Sequence, residues 1–300
     1  MTISADQRGV GISPAQEKGI SAGGTRTPRN AAVLVNWKVY AMDGALLGAF
    51  MISACVFVIL LEHPSSPVYR SVESSFFRRA LIGIAMGLTA LCLIYSPWGK
   101  RSGALMNPAM TLSFLRLGRL KPIDAIFYIF AQFGGAAIGV GVMAALVGMF
   151  VAHPSVRYAA TMPGPRGIAI AWLGEFVITF VLMSVVMGVN KVPRLAPSTG
   201  YFAAALVAIY ITFEAPISGM SMNPARSFGS ALFAHNWSGF WIYCTAPIAG
   251  MFSGIELHRA ITKRHQRLCG KLVHSRRVNC FIPCECLLER EGDAPAEPGL

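Results

Sequence analysis

The sequence predicts an all-α membrane protein of six transmembrane helices plus two half-helices, arranged as an inverted repeat. Three observations carry that expectation: a lipid-like composition, six apolar runs, and one eight-residue pattern that occurs twice. The chain of 300 residues is 54% hydrophobic and only 13% charged, where a soluble domain carries about 25% charge. Residues 1–40 hold 5 basic and 2 acidic residues and 257–300 hold 8 and 5, which leaves 20 charged residues between positions 41 and 256. A water-exposed surface around a core of that size needs far more polar groups. The chain therefore divides into a tail of Ser, Gly, Thr and Pro with scattered charges over 1–40, expected to be disordered, a membrane domain over 41–256 and a basic, cysteine-rich tail over 257–300. Within the domain the two repeats are expected over 41–152 and 167–256.

A helix needs about 20 apolar residues to cross the hydrocarbon. The candidates are Asp43–Leu61, Ala80–Tyr95, Ile123–Val151, Gly167–Asn190, Gly200–Phe213 and Gly239–Glu256. The third carries Gly134, Gly135, Gly139 and Gly141, residues that let helices approach closely in a bilayer. The runs are continuous and lack a period-2 alternation, which excludes a β-barrel. The first 30 residues contain no apolar stretch of the signal-peptide kind, so no cleaved leader is expected.

A net charge of +12 raises phosphate binding. The excess, however, lies in the tails and short connections, where membrane proteins keep it. Lipid, and not nucleic acid, is the expected partner. With six spans and both tails on one side, that side collects 20 Lys and Arg and the other 6. Both termini are then expected on the cytoplasmic face of a plasma or inner membrane.

Ser102-Gly103-Ala104-Leu105-Met106-Asn107-Pro108-Ala109 recurs as Ser218-Gly219-Met220-Ser221-Met222-Asn223-Pro224-Ala225. Each copy opens a short apolar stretch, Met110–Leu117 and Ser227–Phe233, too brief to cross alone. Three spans per half invert the second half relative to the first, and short broken helices at equivalent places mark a transport site. Asn is a strong N-cap and Pro fits the first turn. The Asn oxygen can cap its own helix, and its NH₂ is expected to be free to donate into a pore. Two half-helices meeting at the midplane would aim positive dipole ends at the same place and repel cations. Arg226, one step past the second copy, is expected to be functional because a charge there is expensive. Glu175, mid-span, should be hydrogen-bonded for the same reason. The spans hold no clustered His, acid or Ser nucleophile, so neither an enzyme nor a cofactor is expected.

The paired Asn-Pro-Ala and the continuation Arg226-Ser227-Phe228-Gly229-Ser230-Ala231 resemble the aquaporin, or major intrinsic protein, family. The resemblance covers roughly residues 41–256. It implies a passive channel for water and small uncharged solutes, six tilted helices, two half-helices and a homotetramer with one pore per subunit. It implies pore roles for Asn107, Pro108, Ala109, Asn223, Pro224 and Ala225. Arg226 becomes the arginine of the outer constriction, with Met220, Ile211 and either Met86 or Gly87 as its partners. Strict water channels carry His where Ile211 stands, so this filter is more apolar than theirs, and a glycerol facilitator or a non-conducting scaffold is the alternative. Ser227 replaces the Asp of glycerol-conducting relatives, and Ala231 and Tyr243 also resemble the water type, whereas Cys244 does not. Glu175 resembles the family's buried glutamate, which accepts hydrogen bonds from the pore-loop backbone. Ala49 occupies the matching place in the first repeat; Asp43 either compensates for the missing glutamate or sits at the membrane–water interface, and the interface is the expected place.

The C-terminal tail places Cys269, His274, Cys280, Cys284 and Cys286 within 18 residues. Thiolates and an imidazole could hold a thiophilic metal, although the spacing matches no standard zinc pattern. Cys55, Cys92 and Cys244 read as small core residues.

Overall fold

Long runs of Leu, Ile, Val, Ala and Phe, interrupted inside a described helix by Pro only at Pro247, leave the backbone one economical way to satisfy its hydrogen bonds in lipid, the α-helix. The computed structural model describes residues 29–262, with side chains from Trp37 onward, and no strand occurs among them. The helices are α1 (Arg29–Glu62), α2 (Pro67–Ser71), α3 (Ser75–Tyr95), α4 (Pro97–Ser102), α5 (Pro108–Arg116), α6 (Pro122–Ala152), α7 (Ile168–Lys191), α8 (Thr199–Phe213), α9 (Ala215–Ser218), α10 (Pro224–Ala234) and α11 (Phe240–Ile261). Five are long and apolar enough to cross a membrane: Trp37–Glu62 in α1, α3, α6, α7, and α8 with the turn before it from Ala196. The sixth long helix, α11, ends in the charged residues Glu256 and Arg259. The disordered-tail expectation is corrected over 29–40, where the chain is already helical; over 1–28 it lies outside the described residues, as does the whole Cys269–Cys286 cluster.

The two short helices α5 and α10 stand where the repeated pattern places them, each started by its Asn-Pro pair. α7 packs against α11, α3 against α8, and α6 against α10. The glycines predicted to permit close approach divide into two groups. A Cβ on Gly135 would lie 1.9 Å from the Gly44 carbonyl oxygen and one on Gly139 would lie 2.4 Å from that of Gly48, so α6 meets α1 backbone to backbone. Gly134 faces open space. Outward faces are apolar: Leu146 is 74% and Met149 84% exposed on α6, which carries no penalty against lipid tails. Of the three cysteines read as core, only Cys55 is buried; Cys244 is half-buried and Cys92 is exposed on α3.

Candidate functional site

Each half-helix is capped by its own asparagine. Asn107 Oδ1 accepts from Ala109 N at 2.8 Å, and Asn223 Oδ1 accepts from Ala225 N at 3.0 Å and Arg226 N at 3.2 Å. The expectation of a wholly free NH₂ is corrected. Asn107 Nδ2 donates to the Met222 carbonyl at 2.8 Å, and Asn223 Nδ2 donates to the Met106 carbonyl at 2.7 Å. Each amide carries two N–H groups, so one ties the two repeats together and the other makes no hydrogen bond among the described residues.

The strands of chain leading into the caps are strained. Gly103, Ala104 and Met106 have φ of +95°, +52° and +46°, and Gly219, Met220 and Met222 repeat them at +86°, +49° and +57°. Left-handed backbone costs a non-glycine residue about 1–2 kcal/mol, so something must hold these loops. In the second repeat it is Glu175, which accepts from Ser218 Oγ (2.8 Å), Ser221 N (2.6 Å) and Met222 N (2.7 Å). In the first it is Asp43, which accepts from Ser102 Oγ (3.0 Å), Leu105 N (3.0 Å), Met106 N (2.8 Å) and Gln132 Nε2 (2.8 Å). Asp43 is therefore not an interfacial residue; it is fully buried and does for one loop what Glu175 does for the other. Ala49, the position matched by counting, is exposed on α1. The pairing extends to Tyr128 and Tyr243, whose hydroxyls donate to the carbonyls of Ser102 (2.6 Å) and Ser218 (2.5 Å).

Among the described residues Arg226 forms no ion pair. Its Nη1 donates at 2.8 Å to the carbonyl of Ala159, at the end of a turn in which Arg157, Tyr158 and Ala159 all have positive φ. Ser227 is buried away from the cavity in a hydroxyl chain with Thr161 (2.7 Å) and Ser221 (2.5 Å).

A cavity of about 470 Å³ joins these parts. Asn107, Asn223, Arg226, Met220, Ile211 and Met86 all line it. Gly87 does not: a Cβ there would lie 2.7 Å from the Ala204 carbonyl, so Gly87 is a contact between α3 and α8. Met86 receives a weak contact from Ser53 Oγ at 3.9 Å, and Ser53 in turn bonds Thr89 at 2.7 Å. Pro108, Ala109, Pro224 and Ala225 build the helix starts and do not line the cavity. Glu62, Arg79 and Arg157 line it as well, and sequence reasoning did not single them out. Nor did it find Gln132, the Met106 carbonyl as the acceptor for Asn223, or Glu214. For Asp43 the signal was present: a second intramembrane acid, in the half that lacks a glutamate, ahead of a loop with the same Ser-Gly-x-x-Met.

The family model for the major intrinsic proteins matches residues 37–256. The chain is 35% identical to a probable NIP-type aquaporin of Nicotiana alata over 60% of this chain and 65% of that protein. It is 36% identical to aquaporin NIP1-3 of Oryza sativa subsp. japonica over 60% and 61%, and 39% identical to aquaporin NIP2-2 of Zea mays over 59% and 58%. The matched region thus spans less than two thirds of the length of these relatives. Its backbone is similar to the X-ray structure of the aquaglyceroporin from Plasmodium falciparum, with a TM-score of 0.59 and 19% identity over 75% of this chain and 98% of that one.

Proposed function

The chain belongs to the major intrinsic protein family, and we propose that it is a passive transmembrane channel for water and small uncharged solutes, not an enzyme. The observation that supports this most directly is the single cavity lined by both capping asparagines and Arg226. A molecule in single file there meets the two remaining amide N–H groups and then the guanidinium, all donors. A hydroxylated neutral solute can accept from them, while a cation meets two helix N-termini and a fixed positive charge. The Lys and Arg distribution supports cytoplasmic termini in a plasma or inner membrane, and family resemblance supports a homotetramer.

A second permeant class has its own support. Of the four filter positions Met86, Ile211, Met220 and Arg226, only Arg226 is charged, and flexible thioethers can make room for a wider solute. That favours glycerol-sized molecules beside water. The deciding experiment is stopped-flow light scattering on proteoliposomes, water against glycerol. Arg226→Val should raise glycerol relative to water by roughly tenfold, a barrier change of about 1.4 kcal/mol. Ile211→His should lower glycerol and spare water. Fluxes no greater than those of empty vesicles would end the channel reading.

A further inference from the structure

Glu214 stands between α8 and α9, where no motif marks it. It is 7% exposed, and both of its carboxyl oxygens are buried with no hydrogen-bond partner. Its Oε1 packs against Gly174, where a Cβ would come within 2.6 Å, and so lies beside the turn of α7 that carries Glu175. The Ser218 side chain also reaches Glu214, but its hydroxyl has one proton and donates it to Glu175 Oε1 at 2.8 Å. Two buried acids thus stand next to one hydroxyl, and only one of them has it.

We propose that Glu214 is a proton-binding positioning residue for the second pore loop: protonated, it leaves Ser218 to Glu175, and ionised, it draws the Ser218 proton to itself and slackens the Glu175 clamp on Ser221 and Met222. The inference rests on the channel reading above. A neutral carboxyl tolerates an apolar setting that a bare carboxylate does not. Burial, with the Glu175 carboxylate as second cause, pushes the Glu214 carboxyl up to about 8. The titratable groups around it are Glu175 on α7, Tyr210 on α8 and Tyr243 on α11; Arg226 on α10 acts on Glu175, and Arg166 on the preceding segment is exposed. Among the described residues no ion pair reaches Glu214, so no cation there holds its ionised form. Met222 is the residue whose carbonyl receives Asn107, so slack at Met222 reaches both half-helices.

The test is water permeability of the full chain in proteoliposomes, with equal pH on both sides, from about pH 6.5 to about pH 9.5. The wild type should lose permeability roughly thirtyfold across that range, as the protonated fraction falls about tenfold per unit above the midpoint near 8. Glu214→Gln should keep the near-neutral value throughout. Parallel behaviour of the two proteins, whether flat or falling, overturns the proposal. If neither conducts at any pH, the channel reading fails, and amide hydrogen exchange at Ser221 and Met222 decides this one. Protection lost with rising pH in the wild type and kept in Glu214→Gln upholds it, and equal protection overturns it. Should Glu214→Gln not fold, the infrared difference spectrum of the wild type takes its place. Loss of a protonated-carboxyl band over this range together with Ser221 and Met222 protection upholds the proposal; no carboxyl ionising there overturns it.

Discussion

The side-chain amide of Asn107 donates to the main-chain carbonyl of Met222, 115 positions away, at 2.8 Å. Its counterpart from Asn223 to Met106 is 2.7 Å, so each half-helix is capped from within and latched to the loop of the other half. The asparagine does what an ionised Asp could not, because it accepts and donates at once.

Asn107→Asp separates those two roles. The carboxylate still caps Ala109 N but sets an acceptor against the Met222 carbonyl, at a cost of about 1–3 kcal/mol. The melting temperature in detergent should fall and water flux with it. A variant as stable and as conductive as the wild type would show that the latch contributes nothing.

Asp43→Asn removes one acceptor oxygen and turns an NH₂ towards at least one of four donors, Ser102, Leu105, Met106 and Gln132. Breaking a buried charge-assisted network of this kind should destabilise by about 3 kcal/mol. Glu175→Gln should behave alike, since it opposes Ser218, Ser221 and Met222 in the same way. Thermal unfolding of the two variants side by side checks the equivalence; a harmless Asp43→Asn would return that residue to the interface.

Gly134→Ala and Gly135→Ala are neighbours with opposite expectations. A methyl at 134 meets nothing within 4 Å, while one at 135 lies 1.9 Å from the Gly44 oxygen. The first should gain about 0.5–1 kcal/mol from helix propensity. The second forces α1 off α6 and should lose about 1–3 kcal/mol. Equal melting temperatures would contradict the backbone contact.

Glu214 adds a pH dependence to stability whose sign follows from burial. The carboxyl is raised from 4.5 to about 8, so the folded form holds the proton more tightly than the unfolded chain. Stability from this group is whole below about pH 4.5 and is lost as pH rises towards about 8. Glu214→Gln lacks that loss. Its melting temperature relative to the wild type should therefore grow from about pH 5 to about pH 9, and a constant difference would contradict the assignment.

Composition, six apolar runs and the doubled Ser-Gly-x-x-Met-Asn-Pro-Ala were enough to determine an inverted helical repeat with two capped half-helices, because lipid permits the backbone only helices here and Asn-Pro encodes a helix start locally. Glu175 and Arg226 were legible for a related reason: an isolated charge in an apolar run must have a partner. What each one bonds was decided only by the tertiary structure. Asp43 reached the first loop while Ala49 turned outward, since which face of α1 meets the loop depends on the Gly44–Gly135 and Gly48–Gly139 contacts. Met86 entered the cavity and Gly87 the helix contact for the same kind of reason, a rotation of one residue set by α8. The cross-latch of Asn107 and Met222 and the orphaned Glu214 had no local signature at all, because both arise where segments far apart in the chain are brought within hydrogen-bond reach.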